Sequence, residues 1–189
     1  GNGAILWSTP DDTATGGNKR GTNAIDLQRS RSVAADVASG SNSVLMTGQY
    51  NTASGTYGFL ATGWASNAAG AYSFVGGGHS IVANAEDSGI VAGKNNVVAG
   101  GAIQSVIGGG QLASINGSAY ESFVGAGYNC TINTNGSRSG IVSGDTNTMN
   151  ATTAFIGGGY NNTVSDTMCG IVSGHTNTSA GAYSFIGSG

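Results

Sequence analysis

The stretch Ser73-Phe74-Val75-Gly76-Gly77-Gly78 is a short apolar strand that ends in glycine, and this unit recurs along most of the chain. Fifteen residues, the commonest spacing, are too few for a helical pair, a propeller blade or a leucine-rich unit. They suit two short strands and two turns, so the sequence predicts an all-β solenoid of 15–17-residue coils stacked roughly 4.8 Å apart. The closing glycine returns at spacings of 15, 15, 15, 17, 17, 17, 15, 15 and 15, as Gly48, Gly63, Gly78, Gly93, Gly110, Gly127, Gly144, Gly159, Gly174 and Gly189.

The repeat is weaker before Gly48. The segment Asp36-Val37-Ala38-Ser39-Gly40 aligns with Asn51-Thr52-Ala53-Ser54-Gly55, which predicts an earlier coil that ends near Val33. Eight of the fifteen charged residues lie in residues 1–36. We therefore divide the chain into an N-terminal cap or junction, residues 1–36, and a β-roll repeat domain, residues 37–189. Trp7 is expected to pack in the axial or terminal core.

The apolar residues of the repeated strand come as adjacent pairs, as in Val106-Ile107 and Phe155-Ile156. Successive strand residues point to opposite faces, so both faces need to be buried. A thin coil has one interior, and a continuous apolar stripe is unfavourable in water. The second face is therefore predicted to meet another chain, in an oligomer whose chains lie side by side.

Two kinds of strand alternate along the repeat. Phe74-Val75-Gly76 carries its large residue first, whereas Gly89-Ile90-Val91 carries glycine first. Placing a ring over the glycine of a neighbouring coil keeps the packing close. We expect Phe155 to be a buried residue, whose replacement by alanine costs about 3–5 kcal/mol.

Composition excludes several functions. With 39% hydrophobic and 8% charged residues and a net charge of −3, we expect an ordered chain rather than a disordered one. Clustered Lys and Arg are missing, which argues against nucleic acid. The sequence contains no apolar run long enough to span a membrane, so no membrane insertion is expected.

Catalysis is also disfavoured. Glycoside hydrolysis needs two carboxylates that face one bond, whereas Asp11-Asp12 and Glu86-Asp87 are neighbours that point apart or into solvent. No helix pattern follows the triple glycines, so a phosphate loop is not predicted. Cys130 and Cys169 are interpreted as buried small residues beyond disulfide reach. We expect neither an enzyme nor a cofactor.

The residue after each closing glycine is chemically mixed, which indicates a surface track rather than core. Its histidines are then exposed, and this interpretation is favoured over a metal site formed by copies at a threefold axis. Its aromatic members, Trp64, Tyr128 and Tyr160, are candidate receptor-binding residues that would stack on sugars. The track comprises Gln49, Trp64, His79, Lys94, Gln111, Tyr128, Asp145, Tyr160 and His175.

The three 17-residue coils between Gly93 and Gly144 supply the second group of candidates. Their two-residue insertions are expected to stack on one side of the rod, and insertions in solenoids often form the binding face. The nearby receptor-binding candidates are Gln104, Asn116, Tyr120, Asn133, Asn135 and Arg138. The alternative is that both groups only decorate a shaft.

Asparagine recurs three residues after many closing glycines. Asparagine side chains form hydrogen bonds in turns and along stacks, so the pattern predicts a turn ladder. Its members are Asn51, Asn96, Asn147, Asn162 and Asn177.

The coils from Asn42-Ser43-Val44 through Gly55, and Ala71-Tyr72 through Gly78, resemble the head repeats of trimeric autotransporter adhesins, the YadA-like head. The resemblance covers residues 24–189 and implies a left-handed parallel β-roll of three chains about one axis. Thr13 through Gly21, with Ala24-Ile25-Asp26-Leu27-Gln28 and Arg31, looks like the lead-in to such repeats in phage tail fibres.

This resemblance implies a structural and adhesive segment of a phage tail fibre or virion fibre, which attaches to the host-cell surface. The expected partners are two further copies in a homotrimer, a host-cell surface glycan or protein receptor, and other tail or fibre proteins. The alternative is the head of a bacterial trimeric adhesin, on the bacterial cell surface. An ice-binding solenoid is a third possibility, disfavoured because the columns are mixed and the 17-residue coils interrupt the regularity.

Overall fold

The computed structural model describes residues 5–6 and 8–189, and over these residues the chain is a parallel β-solenoid without helices. Each regular coil contributes two strands of two residues. Each strand pairs in parallel with the corresponding strands of the coils before and after it. The all-β solenoid predicted from the repeat is therefore confirmed. Trp7, which was expected to pack in the core, lies outside the described residues.

In the described residues the strands form two sheets, of twelve and nine strands. The long sheet contains β1 (Ile5–Leu6), β2 (Ile25–Asp26), β3 (Val44–Leu45), β5 (Phe59–Leu60), β7 (Phe74–Val75), β9 (Gly89–Ile90), β11 (Val106–Ile107), β13 (Phe123–Val124), β15 (Gly140–Ile141), β17 (Phe155–Ile156), β19 (Gly170–Ile171) and β21 (Phe185–Ile186). The short sheet contains β4 (Thr52–Ala53), β6 (Asn67–Ala68), β8 (Val82–Ala83), β10 (Val97–Val98), β12 (Ser114–Ile115), β14 (Thr131–Ile132), β16 (Thr148–Met149), β18 (Thr163–Val164) and β20 (Thr178–Ser179).

The N-terminal segment continues the long sheet, because β1 pairs with β2 and β2 with β3. Ser30 bridges Gln49, so Arg29 is the counterpart of Gly48 and the predicted coil end near Val33 is wrong. The extra residues form a turn that the sequence alignment did not reveal. The carboxylate of Asp36 holds this turn by accepting hydrogen bonds from the backbone N–H groups of Ser32 (2.7 Å) and Val33 (3.1 Å).

The interior lies between the two sheets and is filled by the second residue of most strands. Inward residues of the long sheet, such as Ile107 and Ile156, are completely buried, as are Ile115 and Met149 of the short sheet. Burying a side chain of this size contributes about 1.5–3 kcal/mol. One continuous apolar column per sheet therefore holds the coils together.

The first residue of the long-sheet strands lies on the outer face. Phe155 is 44% exposed while Ile156 is fully buried, so the expectation that Phe155 is a core residue is wrong for the single chain. The ring of Phe155 lies near Gly157, the residue that directly follows its own strand. A methyl group on Gly157 would come within 3.3 Å of Cε1 of Phe155, whereas one on Gly89 would be 3.9 Å from Cβ of Phe74 in the previous coil. The expected packing over the glycine of a neighbouring coil is found for Phe185, since a methyl group on Gly170 in the previous coil would come within 3.2 Å of its Cδ2.

The predicted asparagine ladder is confirmed and runs through the interior. Nδ2 of Asn147 donates to the carbonyls of Ser143 (3.1 Å) and Gly159 (3.0 Å), and its Oδ1 accepts from the backbone N–H of Asn162 (2.9 Å). The same side chain thus joins its own turn to the next coil, which satisfies polar backbone groups that would otherwise be buried without partners. Cys130 occupies this column in its coil, and Cys130 and Cys169 are both free and buried, as predicted.

At its N-terminal end the interior becomes charged. Asp26 stands where Leu45 stands in the next coil. Its Oδ2 accepts from Nε of Arg20 (2.7 Å) and Nη2 of Arg31 (3.2 Å), and all three side chains are buried. Gln28 then pairs with the backbone of Asn51, whose N–H donates to its Oε1 (2.7 Å). This cluster closes the apolar column, which the sequence indicated only as a concentration of charge.

Each regular coil turns at two corners where a residue adopts a left-handed backbone conformation. Apart from glycine, these residues have φ between about 50° and 60°, as for Tyr72 (56°), Ser80 (55°) and Thr153 (57°). Non-glycine residues are uncommon in this region, and a β-branched one is a clear outlier. The stacked coils impose this conformation on whatever residue occupies the corner.

Candidate binding surfaces

The surface track is a continuous column in the structure. From Ser30 through Gln49 to His175, each member forms a parallel bridge with the member in the next coil. Trp64, Tyr128 and Tyr160 are each between 40% and 50% exposed. The prediction of a solvent-facing track with exposed histidines is therefore confirmed.

Rings stack along part of this track. The rings of Trp64 and His79 lie 4.3 Å apart at 22°, and those of Tyr160 and His175 lie 5.0 Å apart at 18°. Tyr50 adds an edge contact to Trp64 at 5.8 Å. Tyr128 lies between Gln111 and Asp145 and has no ring partner within the described part of the chain. The three aromatic candidates therefore belong to one column but not to one cluster.

The two-residue insertions stack on one side of the roll, as predicted. Oγ of Ser137 donates to the carbonyl of Ser118 in the previous coil (2.8 Å). Beside the insertions, Nδ2 of Asn116 donates to Oδ1 of Asn133 (3.3 Å), and Nδ2 of Asn133 donates to Oδ1 of Asn150 (2.6 Å). Much of the hydrogen-bonding capacity of these amides is thus used along the ladder. Asn135 is exposed, and its carbonyl accepts from Oγ1 of Thr152 (2.9 Å).

The insertions lie outside the strands, so they leave the strand register unbroken. Thr131 pairs with Ser114 on one side and Thr148 on the other, and the column continues to Thr163 and Thr178. The expectation that the 17-residue coils interrupt the regularity is wrong for this face, because the extra residues are accommodated at the corner.

The remaining candidates lie where the chain turns into the long sheet. Gln104 and Arg138 occupy left-handed corners, with φ of 55° and 54°, and both are exposed. Tyr120 directly precedes the corner residue Glu121 and is also exposed. The nine candidate residues therefore divide between two places, the surface track and the insertion side with its corner, and the structure does not bring them into one site.

Sequence reasoning missed a second aromatic pair. Tyr57 and Tyr72 occupy consecutive corners, are 51% and 55% exposed, and stack with ring centroids 5.1 Å apart at 6°. Their spacing of 15 residues was visible in the sequence. The pair escaped notice because a tyrosine is not expected at a left-handed corner.

The adjacent carboxylates named above lie in a turn and at a corner of the described chain. Oδ1 of Asp11 accepts from the backbone N–H of Thr13 (2.9 Å), from its hydroxyl (2.8 Å) and from the N–H of Gly16 (3.0 Å). These hydrogen bonds, chiefly those from Thr13, hold the pKa of Asp11 below its ordinary value, and the side chain caps a turn. Glu86 and Asp87 are exposed at a corner.

Metal-binding clusters and membrane-spanning helices are both missing from the described residues. These residues contain no group of three or more His, Cys, Asp or Glu side chains arranged to hold a metal ion. Nor does any helix within them have the length and hydrophobicity needed to cross a bilayer.

Comparisons with known proteins add no family. No protein-family model matches the chain, and no curated protein and no solved structure matches it. The resemblance to adhesin head repeats therefore rests on the repeat pattern alone.

Proposed function

We propose that this chain is a structural and adhesive segment of a trimeric virion fibre, of the phage tail-fibre kind, that attaches to a host-cell surface. The observation that carries the proposal is the apolar stripe on the outer face of the long sheet. A stripe of this length favours association with further copies. Its large exposed members include Phe74, Val91, Val106, Phe123, Val142, Phe155 and Val172.

A fibre segment needs stiffness along its axis, and the backbone supports this role. Hydrogen bonds link each coil to the next in both sheets, for example from the N–H of Val106 to the carbonyl of Ser122 and from the N–H of Thr131 to the carbonyl of Asn147. Stability in such a stack comes from nearest-neighbour interfaces repeated along the rod. Three chains side by side would add lateral support.

The test of assembly is the solution mass of the purified chain, measured by light scattering across a range of concentrations. A mass of three chains of 18.5 kDa each is the expected result. A monomer at all concentrations would overturn the proposal, because the apolar stripe would then be exposed to water. A stable dimer would overturn the trimer.

Adhesion is proposed to occur through many weak contacts, multiplied by the three chains and by several fibres per particle. The candidate surfaces are the aromatic residues of the track and the insertion side around Asn116, Tyr120, Asn133 and Asn135. Fluorescently labelled protein should bind whole bacteria of a susceptible strain, and Tyr120→Ala with Asn135→Ala should weaken binding several-fold. Val33→Ala, which removes an exposed apolar side chain from the N-terminal turn, is the control. Failure to bind any strain of a broad panel would leave a shaft and overturn the adhesive role.

The head of a bacterial trimeric adhesin is the alternative with the same assembly and the same kind of surface. The two proposals differ in what adjoins the segment in the complete protein. A coiled-coil stalk and a membrane anchor would favour the adhesin, whereas a tail or baseplate junction would favour the virion fibre.

One observation favours an ice-binding solenoid as a second candidate. Thr131, Thr148, Thr163 and Thr178 form an unbroken column on the outer face of the short sheet. A regular array of hydroxyls is what such a surface needs, although the adjacent outward column, Asn133, Asn150, Ser165 and Ala180, is mixed. Thermal hysteresis of the purified protein is the measurement that separates the two. A freezing point equal to the melting point would remove this candidate.

A further inference from the structure

Two exposed columns border the outer face of the long sheet. The leading column consists of the left-handed corner residues that stand two positions before each outward strand residue, such as Tyr72 before Phe74. On the other side is the surface track, whose members stand five positions after the same residue, such as His79. In every regular coil the two columns are therefore seven residues apart.

The two columns are chemically matched in several coils. Tyr57 and Tyr72 in the leading column correspond to Trp64 and His79 in the track, so the two stacked ring pairs lie in the same two coils. Two coils after Tyr72 and His79, Gln104 in the leading column corresponds to Gln111 in the track. The coil between them carries opposite charges.

Charge follows the same pattern. Asp87 in the leading column corresponds to Lys94 in the track, and Arg138 corresponds to Asp145. In each of these two coils the charges are opposite. The acidic residue is in the leading column in the first coil and in the track in the second. The two ion pairs found among the described residues both involve Asp26 instead, so none of these four groups has an ion-pair partner within the described chain.

Symmetry brings the two columns together. In any ring of parallel chains that face a common axis through the long sheet, the leading side of one chain meets the track side of the next, at the same height. Asp87 then faces Lys94 of the next copy, and Arg138 faces Asp145. If neighbouring chains were displaced by one coil along the axis, Glu121 of one chain could face Asp145 of the next. Both opposite-charge pairs would then be separated. Like charges placed together weaken an interface.

We infer that the leading column and the surface track form a lateral seam between copies of this chain, which contains the contacts Asp87–Lys94, Arg138–Asp145 and Tyr72–His79 between neighbours. The inference rests on the proposed trimer and deepens it. Three such seams would flank the apolar face and shield its edges from water. The aromatic residues of the track, Trp64 foremost, then join chains, and the insertion side is the part of the candidate surface left for a receptor.

Disulfide trapping tests the seam directly. The double variant Gln104→Cys/Gln111→Cys, oxidised and run on a non-reducing gel, should give a covalent band of three chains. Within one chain the two positions lie on either side of strand β11, and a cross-link inside one chain would leave the band at the mass of a single chain. The native cysteines are buried and do not compete. The matched control, Gln104→Cys/Tyr128→Cys, is displaced by one coil and should remain uncross-linked.

The outcomes separate this inference from the trimer itself. The solution mass of the unmodified chain is measured first, and a monomer would overturn the proposed function. A trimer without a cross-link, or with a cross-link only in the displaced control, would overturn the seam and leave the trimer standing.

Charge exchange is the second test and leaves the core untouched. Asp87→Lys alone, or Lys94→Asp alone, should raise the concentration at which the trimer dissociates roughly tenfold, because like charges then meet at all three seams. The double exchange Asp87→Lys/Lys94→Asp should restore the original value. An additive effect of the two changes would overturn the pairing. High salt should reduce the difference between the single variants and the unmodified chain.

Discussion

The long and short sheets are built from the same two-residue strands in the same parallel register, yet their outer faces differ. The long sheet presents Phe and Val outward, as at Phe123 and Phe155, whereas the short sheet presents Ser and Thr from Ser114 onward, after Val82 and Val97 in earlier coils. Both sheets present apolar residues to the shared interior. One coil therefore has three environments: an apolar interior, an apolar outer face on the long sheet and, from Ser114 onward, a hydroxyl-bearing outer face on the short sheet.

The largest effect is expected when a charge is placed on the outer face of each sheet in turn. Phe155→Asp should abolish assembly, because a carboxylate would have to be desolvated without a partner in an apolar contact. The loss is measured as a change from three chains to one by light scattering. Thr163→Asp, eight residues later on the outer face of the short sheet, should leave the mass unchanged. Assembly that tolerates Phe155→Asp but not Thr163→Asp would reverse the assignment of the two faces.

The buried cluster of Asp26, Arg20 and Arg31 closes the interior that both sheets share. Disrupting this cluster is expected to have the next largest effect. Asp26→Ala leaves two buried guanidinium groups without a carboxylate and should cost about 3–5 kcal/mol of unfolding free energy. Chemical denaturation measures the change. A matched variant, Asp26→Leu/Arg20→Met/Arg31→Leu, removes all three charges and should be neutral or more stable. If the single and triple variants lose equal stability, the charges do not act as a unit.

The asparagine ladder connects successive coils beside the short sheet, and its removal should have a smaller effect. Asn147→Ala removes the side-chain partner of the Ser143 carbonyl and of the Asn162 N–H. The Gly159 carbonyl still accepts from the N–H of Asp145, so the total cost should be about 1–3 kcal/mol. Thr148→Ala, on the adjacent outward position, is the control and should change the melting temperature little. Equal losses in the two variants would mean that the ladder contributes no more than the surface.

The smallest change in unfolding free energy is expected at the corners between the sheets. Thr153 is a β-branched residue at φ 57°, a conformation that costs roughly 1–2 kcal/mol for most residues and less for asparagine. Thr153→Asn should therefore raise the free energy of unfolding by about 1 kcal/mol or less. Thr163→Asn, within a strand, should instead lower it slightly, because asparagine is disfavoured in strands. A loss of stability at Thr153 would show that its side chain forms contacts that outweigh the strain.

Much of the candidate surface followed from the sequence, because a repeated position in a solenoid becomes a column. The track from Gln49 to His175 and the stacked insertions were predicted in this way. The leading column was predicted only in part, through Gln104 and Arg138. Tyr57 and Tyr72 were missed, since their left-handed backbone is imposed by the stacked coils rather than by their own preference.

By itself, the sequence determined the coil length, the parallel stacking, the asparagine ladder and the presence of two apolar faces, because each depends on spacing along the chain. Only the tertiary structure decided which face is inside. Because side chains alternate between the two faces of a strand, the sequence shows that Phe155 and Ile156 point in opposite directions. It does not show which of them points inward. The coil closes so that one face of the long sheet packs against the short sheet, and this packing buries Ile156 and leaves Phe155 on the outside. The joining of Asp26 to Arg20 and Arg31 likewise needed the fold, because it brings together side chains from separate turns that no spacing relates.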